Sequence, residues 1–120
     1  MKRIMTVDDS LTMRRYVRLA LEPEGYEVTE AKDGEDALAK LQGEEVDGFL
    51  VDINMPKMSG FDLIRKIRAL EQYRFVPILF VTTESDPDKR QEGKEAGATG
   101  WIVKPFKRED LINVVRKVVR

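Results

Sequence analysis

Cysteine and histidine are both absent from the 120 residues. Without cysteine there is no disulfide, thiol nucleophile or thiolate metal site, and a reducing cytoplasm is the compartment we expect. Without histidine there is no imidazole base, no imidazole metal ligand and no phosphohistidine within the chain. Phosphoryl or acid–base chemistry must therefore use carboxylates, lysine or hydroxyls, or borrow a histidine from a partner. An excess of one charge is missing too. With 21 basic and 22 acidic side chains the formal net charge is -1, which favours neither nucleic acid nor an anionic membrane. No apolar run reaches spanning length, and Met1-Lys2-Arg3-Ile4 shows no signal-peptide pattern. Linkers, repeats and low-complexity segments are lacking as well, so we expect one domain over 1–120 with no appended output domain.

What is present is a regular alternation. Short apolar runs near 3–7, 26–30, 47–52, 76–82 and 100–104 read as strands; helical patterns fall near 10–22, 34–43, 59–71, 87–96 and 107–119. Tyr26-Glu27-Val28-Thr29-Glu30 alternates as an edge strand should, while the third and fourth runs are continuously apolar, as central strands buried on both faces should be. Right-handed crossovers then give an α/β fold, a single doubly wound (βα)5 domain of flavodoxin-like architecture. Its expected five-stranded parallel sheet has the order 2-1-3-4-5. Asp33 can cap the second helix, Ser59 with Asp62 forms a capping-box pattern, and Asp86-Pro87 opens the fourth helix, which Gly97 ends. The last helix carries an apolar stripe of Leu111, Ile112, Val115, Val118 and Val119.

The strand ends carry the chemistry. Ile4-Met5-Thr6-Val7 stops at Asp8-Asp9, Gly48-Phe49-Leu50-Val51 at Asp52, Val76 to Val81 at Thr82-Thr83, and Trp101-Ile102-Val103 at Lys104-Pro105. In parallel strands those ends share one edge, and ligands of open α/β sheets bind there, where the strand order reverses. Close carboxylates repel unless a cation is present. Mg2+ suits such a site because it accepts a few carboxylates, keeps waters and recruits phosphate oxygens. A carboxylate can also attack phosphorus to give an acyl phosphate.

Each feature has a plainer reading. Asp8-Asp9 can be a solvated turn, Asp52 a loop cap, Lys104 a lysine lying over the sheet edge, and Thr82 or Thr83 ordinary strand residues. Trp101 can be packing, Met13, Met55 and Met58 can fill gaps, and Arg14-Arg15-Tyr16-Val17-Arg18 can be a solvated face or a docking face for a kinase. Agreement of all four strand ends is what favours a site.

Together, Asp8-Asp9, Asp52 within Val51-Asp52-Ile53-Asn54-Met55-Pro56-Lys57-Met58-Ser59-Gly60, Thr82, and Lys104-Pro105-Phe106 span nearly the whole chain. In that order they resemble two-component response regulator receiver domains, and more narrowly the stand-alone, CheY-like chemotaxis regulators. The resemblance implies a phosphorylation-activated signalling switch. Asp52 is the implied acceptor from a histidine kinase (CheA-like). Asp9, Asp52 and the backbone carbonyl of Asn54 are the implied Mg2+ ligands, with Asp8 acting through water. Thr82 and Lys104 are the implied phosphoryl-binding groups, Thr82 and Trp101 the switch pair, Pro105 a cis-proline, and Asn54 and Glu84 the residues that tune dephosphorylation. The partners it implies are the kinase, the flagellar motor switch or another phospho-dependent protein, and a phosphatase; a monomer is the default, with no nucleic acid and no membrane. It implies no enzyme beyond self-phosphorylation and self-dephosphorylation on Asp52.

The fourth helical segment departs from that pattern. It is strongly polar and has Gly93 in its interior, which costs roughly 1 kcal/mol relative to alanine, so a marginal, mobile helix is expected. A phosphate sink that drains a kinase without an output partner stays open on this ground. An FMN-binding flavodoxin-like protein is disfavoured because Asp8-Asp9 would repel the FMN phosphate. An aspartyl-phosphate hydrolase lacks a further domain to enclose a substrate.

Overall fold

A computed structural model describes residues 1–120. The order is β1 (Lys2–Val7), α1 (Leu11–Leu21), β2 (Tyr26–Ala31), α2 (Gly34–Leu41), β3 (Gly48–Val51), α3 (Gly60–Ala69), β4 (Ile78–Thr82), α4 (Pro87–Ala96), β5 (Gly100–Val103) and α5 (Arg108–Val118). The strands form one parallel sheet in the order β2-β1-β3-β4-β5. The architecture is as expected, and the boundaries differ for local reasons. Pro23 and Gly25, at φ 94°, turn the expected tail of α1 into a separate 3-10 turn over Glu22–Glu24. A second 3-10 turn, Glu71–Tyr73, follows α3. Pro77 has no N–H to offer a ladder, and β4 begins one residue later than it.

Alternation along the strands sends side chains into two cores. Met5, Val7, Phe49, Val51, Ile78 and Phe80 face α2, α3 and α4, where Ala37, Phe61, Ile64, Ile67 and Ala96 close over them. Ile4, Val28, Leu50, Leu79, Val81 and Ile102 face α1 and α5, against Val17, Leu21, Leu111, Ile112 and Val115. Full burial of each large aliphatic side chain contributes roughly 1.5–3 kcal/mol, so the two layers fix the sheet as a rigid plate.

Caps hold the helix starts at the same edge of the sheet. Ser10, Asp33, Ser59 and Asp86 each accept a backbone N–H of the following turn. Only half of the capping box at Ser59 forms, since the Asp62 carboxylate pairs with Arg65 at 3.4 Å. The α4 helix is regular, and its buried residues are Gly93 and Ala96. No helix is long and apolar enough to cross a membrane.

Candidate functional site

Register brings the chemical residues together. Val7 lies beside Val51, and Asp52 N–H donates to the Val7 carbonyl at 2.9 Å, so Asp8 and Asp52 leave adjacent strands side by side. Thr82 lies beside Val103, and Lys104 N–H donates to the Thr82 carbonyl at 2.8 Å. One carboxylate oxygen each from Asp8, Asp9 and Asp52 falls within 4.8 Å of the others. Asp8 and Asp52 are buried; Asp9 is exposed. The chemistry of this set is hard and anionic, with one ligand open to water, which fits a small divalent cation that keeps part of its hydration shell.

Lys104 supplies the only ammonium in ion-pair contact with this cluster. Its Nζ donates to Asp8 Oδ2 at 2.7 Å and stands 3.5 Å from Asp52 Oδ2. Burial holds the Asp52 carboxyl above the usual carboxylate range, and the nearby Asp8 charge adds to that; Lys104, the Thr82 hydroxyl and the Ile53 N–H pull the other way. A bound cation or a phosphoryl group would change this balance directly. The Lys104–Pro105 bond is cis, as expected.

Thr82 and Thr83 separate cleanly. Thr82 is buried at the end of β4, and its Oγ1 accepts from Glu84 N–H at 3.2 Å; Thr83 is exposed. The Glu84 carboxylate accepts from Asp86 N–H at 3.2 Å, and its carbonyl accepts from Trp101 Nε1 at 2.9 Å. Trp101 is half-buried and meets Phe80 edge-on. Asn54 lies exposed on the loop after β3, two residues beyond Asp52. That loop returns through Lys57, at φ 70°, and closes with Gly60 N–H on the Ile53 carbonyl at 2.9 Å.

Two site-linked roles are absent from the sequence reading. Arg14, read as part of a solvated or docking face, is buried for most of its side chain, donating to the Asp8 carbonyl at 2.6 Å and to Glu30 at 3.0 Å. Gly60 is hemmed in: a Cβ there would meet the Asp52 carbonyl oxygen and stand 2.9 Å from Ile53 Cα. A Ser-Gly helix start is a weak hint of such a close approach. For Arg14 the sequence holds no signal, since its neighbours Arg15 and Arg18 look alike and are more exposed.

Comparison with known proteins agrees with this geometry. The family model for the response regulator receiver domain matches residues 4–116. The chain is 40% identical over 117 residues to a chemotaxis protein CheY of Pseudomonas aeruginosa, covering 97% of this chain and 94% of that protein. The solved structure of Vibrio cholerae chemotaxis protein CheY4 superposes with a TM-score of 0.95 at 47% identity, covering 98% of both chains. Thermotoga maritima response regulator TrrA, solved in complex with Mg2+-BeF, superposes at 0.86 with 34% identity, covering 98% of this chain and 99% of that one.

Proposed function

The chain belongs to the response regulator receiver domain family, and from that membership we propose that it is a chemotaxis signalling switch driven by phosphorylation of Asp52. A carboxylate oxygen of Asp52 attacks the phosphorus of a kinase phosphohistidine, the P–N bond breaks with its electron pair going to nitrogen, and the partner's imidazole leaves neutral, keeping the proton already on its other ring nitrogen. The imported imidazole supplies the group this chain lacks.

The donor set fits Mg2+, which Asp9, Asp52 and the Asn54 carbonyl would hold, with Asp8 acting through water. Bound there, it would supply positive charge against the phosphoryl oxygens. The remaining work falls to the chain itself. Lys104 is held within reach of both buried carboxylates and offers its ammonium to a second phosphoryl oxygen. Thr82 offers its hydroxyl to a third, and its departure from Glu84 N–H would loosen the strand end against which Trp101 is bonded. Asn54 and Glu84 flank the site and set how readily water reaches the acyl phosphate. The output is altered binding at the face built from α4, β5 and α5, with the flagellar motor switch as partner and the cytoplasm as compartment. The chain acts on itself alone, so it is a switch rather than an enzyme.

The observation that carries this reading is the meeting of three carboxylates within 4.8 Å under one ammonium. The second reading, a phosphate sink, draws on the polar α4 surface, where Arg90, Gln91 and Lys94 border the groove beside Trp101. Acetyl phosphate with and without Mg2+, read by intact mass beside Asp52→Asn, tests the first. A single Mg2+-dependent phosphoryl adduct missing from the variant is expected; an adduct retained in the variant would place the acceptor elsewhere. A sink would take the adduct without any change in the environment of Trp101.

A further inference from the structure

The α4 helix reaches the sheet with no large side chain of its own. Gly93 and Ala96 are its buried residues, and the bulk at the contact comes from Phe80 on β4 and Trp101 on β5. Their rings meet edge to face, 5.2 Å between centroids and inclined at 64°. A Cβ at position 93 would stand 2.8 Å from Phe80 Cε2 and 2.9 Å from Trp101 Cζ3. The helix backbone at 93 has no need of glycine, and helix propensity favours alanine there. What requires glycine is the close approach of two aromatic rings.

The opposite edge of the Phe80 ring is confined in the same way. A Cβ at Gly60, the first residue of α3, would stand 2.9 Å from Phe80 Cε1. Phe80 is thus clamped between two bare backbone positions, and Trp101 rests on the clamped ring. Two further contacts hold the indole: Nε1–H on the Glu84 carbonyl at 2.9 Å, and the Arg90 guanidinium 5.7 Å from its centroid. Arg90 and Gly93 lie three residues apart on one face of α4.

We propose that Gly93 is the positioning residue for Trp101: its missing side chain lets the indole lie inward on Phe80 with its N–H on the Glu84 carbonyl. A larger residue at 93 pushes the indole outward and uncouples it from the strand end that carries Thr82. The coupling half of this statement rests on Trp101 being the aromatic through which the Asp52 site is reported; the seating half does not.

Trp101 is the sole tryptophan, so its emission reads the seat directly. In Gly93→Ala without any phosphodonor, a red-shifted emission maximum and a higher acrylamide quenching constant are expected. Adding Mg2+ and beryllofluoride should shift the emission of the parent protein and leave that of the variant unchanged, while acetyl phosphate still adds mass at Asp52. Parent-like emission and quenching in Gly93→Ala, with a raised Tm, would overturn the proposal. A Tm comparison covers a poorly folded variant: the loss caused by Gly93→Ala should shrink when Trp101→Leu is already present, and equal losses in both backgrounds overturn the seating. A parent protein that takes no phosphoryl group defeats the receiver reading, while the phosphodonor-free emission still decides the role of Gly93.

Discussion

Lys104 is bonded to Asp8 at 2.7 Å, closer than to Asp52, the acceptor we propose, at 3.5 Å. One ammonium therefore answers the repulsion between two buried carboxylates, and Asp8 holds it in place. From this follows an expectation for Asp8→Asn. The carboxamide removes one charge from the cation site and frees Lys104 to pair with Asp52, so Mg2+ affinity should fall by about 10–100-fold. Calorimetric titration with Mg2+ measures it; an unchanged dissociation constant would remove Asp8 from the site.

Gly60→Ala should damage the site from behind. The new methyl group would press on the Asp52 carbonyl and on Ile53 Cα, and backbone atoms cannot rotate away as a flexible side chain can. Overpacking of this kind costs about 1–3 kcal/mol. Phosphorylation by acetyl phosphate should slow as well, because the acceptor strand end moves. Urea unfolding and adduct formation read the two effects separately; normal values for both would mean that the loop relaxes without strain.

Arg68 spans three segments without a carboxylate partner. Its Nε and Nη2 donate to the Gly97 carbonyl at 3.1 and 2.8 Å, and Nη1 donates to the carbonyls of Tyr73, Arg74 and Val76. Burial lowers its pKa. Arg68→Met keeps the stem but strands these carbonyls, and a loss of about 2–3 kcal/mol is expected. Arg68→Lys should recover little, since a point charge cannot fork to several acceptors. Denaturant midpoints decide, and a parent-like midpoint for the lysine variant would count against the fork.

Glu30 supplies a pH-dependent contribution. Burial pushes its carboxyl up, but hydrogen bonds from Arg18 and Arg14 outweigh that and hold it below the ordinary value of 4.5. A carboxylate with a lowered folded pKa stabilises the fold above its unfolded pKa and loses that contribution as pH falls through the folded one. Glu30→Gln should therefore cost roughly 1 kcal/mol at neutral pH, the partial exposure of Arg18 keeping the figure modest. The gap to the parent should close below pH 4.5. Tm measured across that range tests this, and a gap independent of pH would assign the loss to packing.

Much of the fold can be read from the strands alone. Tyr26 to Ala31 alternates and proves to be an edge strand, while Phe49-Leu50-Val51 and Ile78 to Val81 are apolar throughout and lie in the middle. The convergence of Asp8, Asp52, Thr82 and Lys104 follows from parallel strands ending at one edge, which needs no distances. The reason for a glycine inside α4 was not legible in the sequence. Helix propensity treats Gly93 as a weakness, whereas in the folded chain two rings occupy the space of its side chain.

The sequence by itself therefore determined the layered α/β architecture, the strand order and the set of groups at the functional edge. Residue periodicity encodes which face a side chain takes, and strand ends encode what the edge carries. Tertiary structure alone decided that Lys104 bonds Asp8, that Arg14 is withdrawn from solvent to brace the Asp8 carbonyl, and that Trp101 rests beside Gly93. Those outcomes depend on ångström-scale distances between elements far apart in the chain and on how much water each charge keeps, and no local pattern carries either quantity.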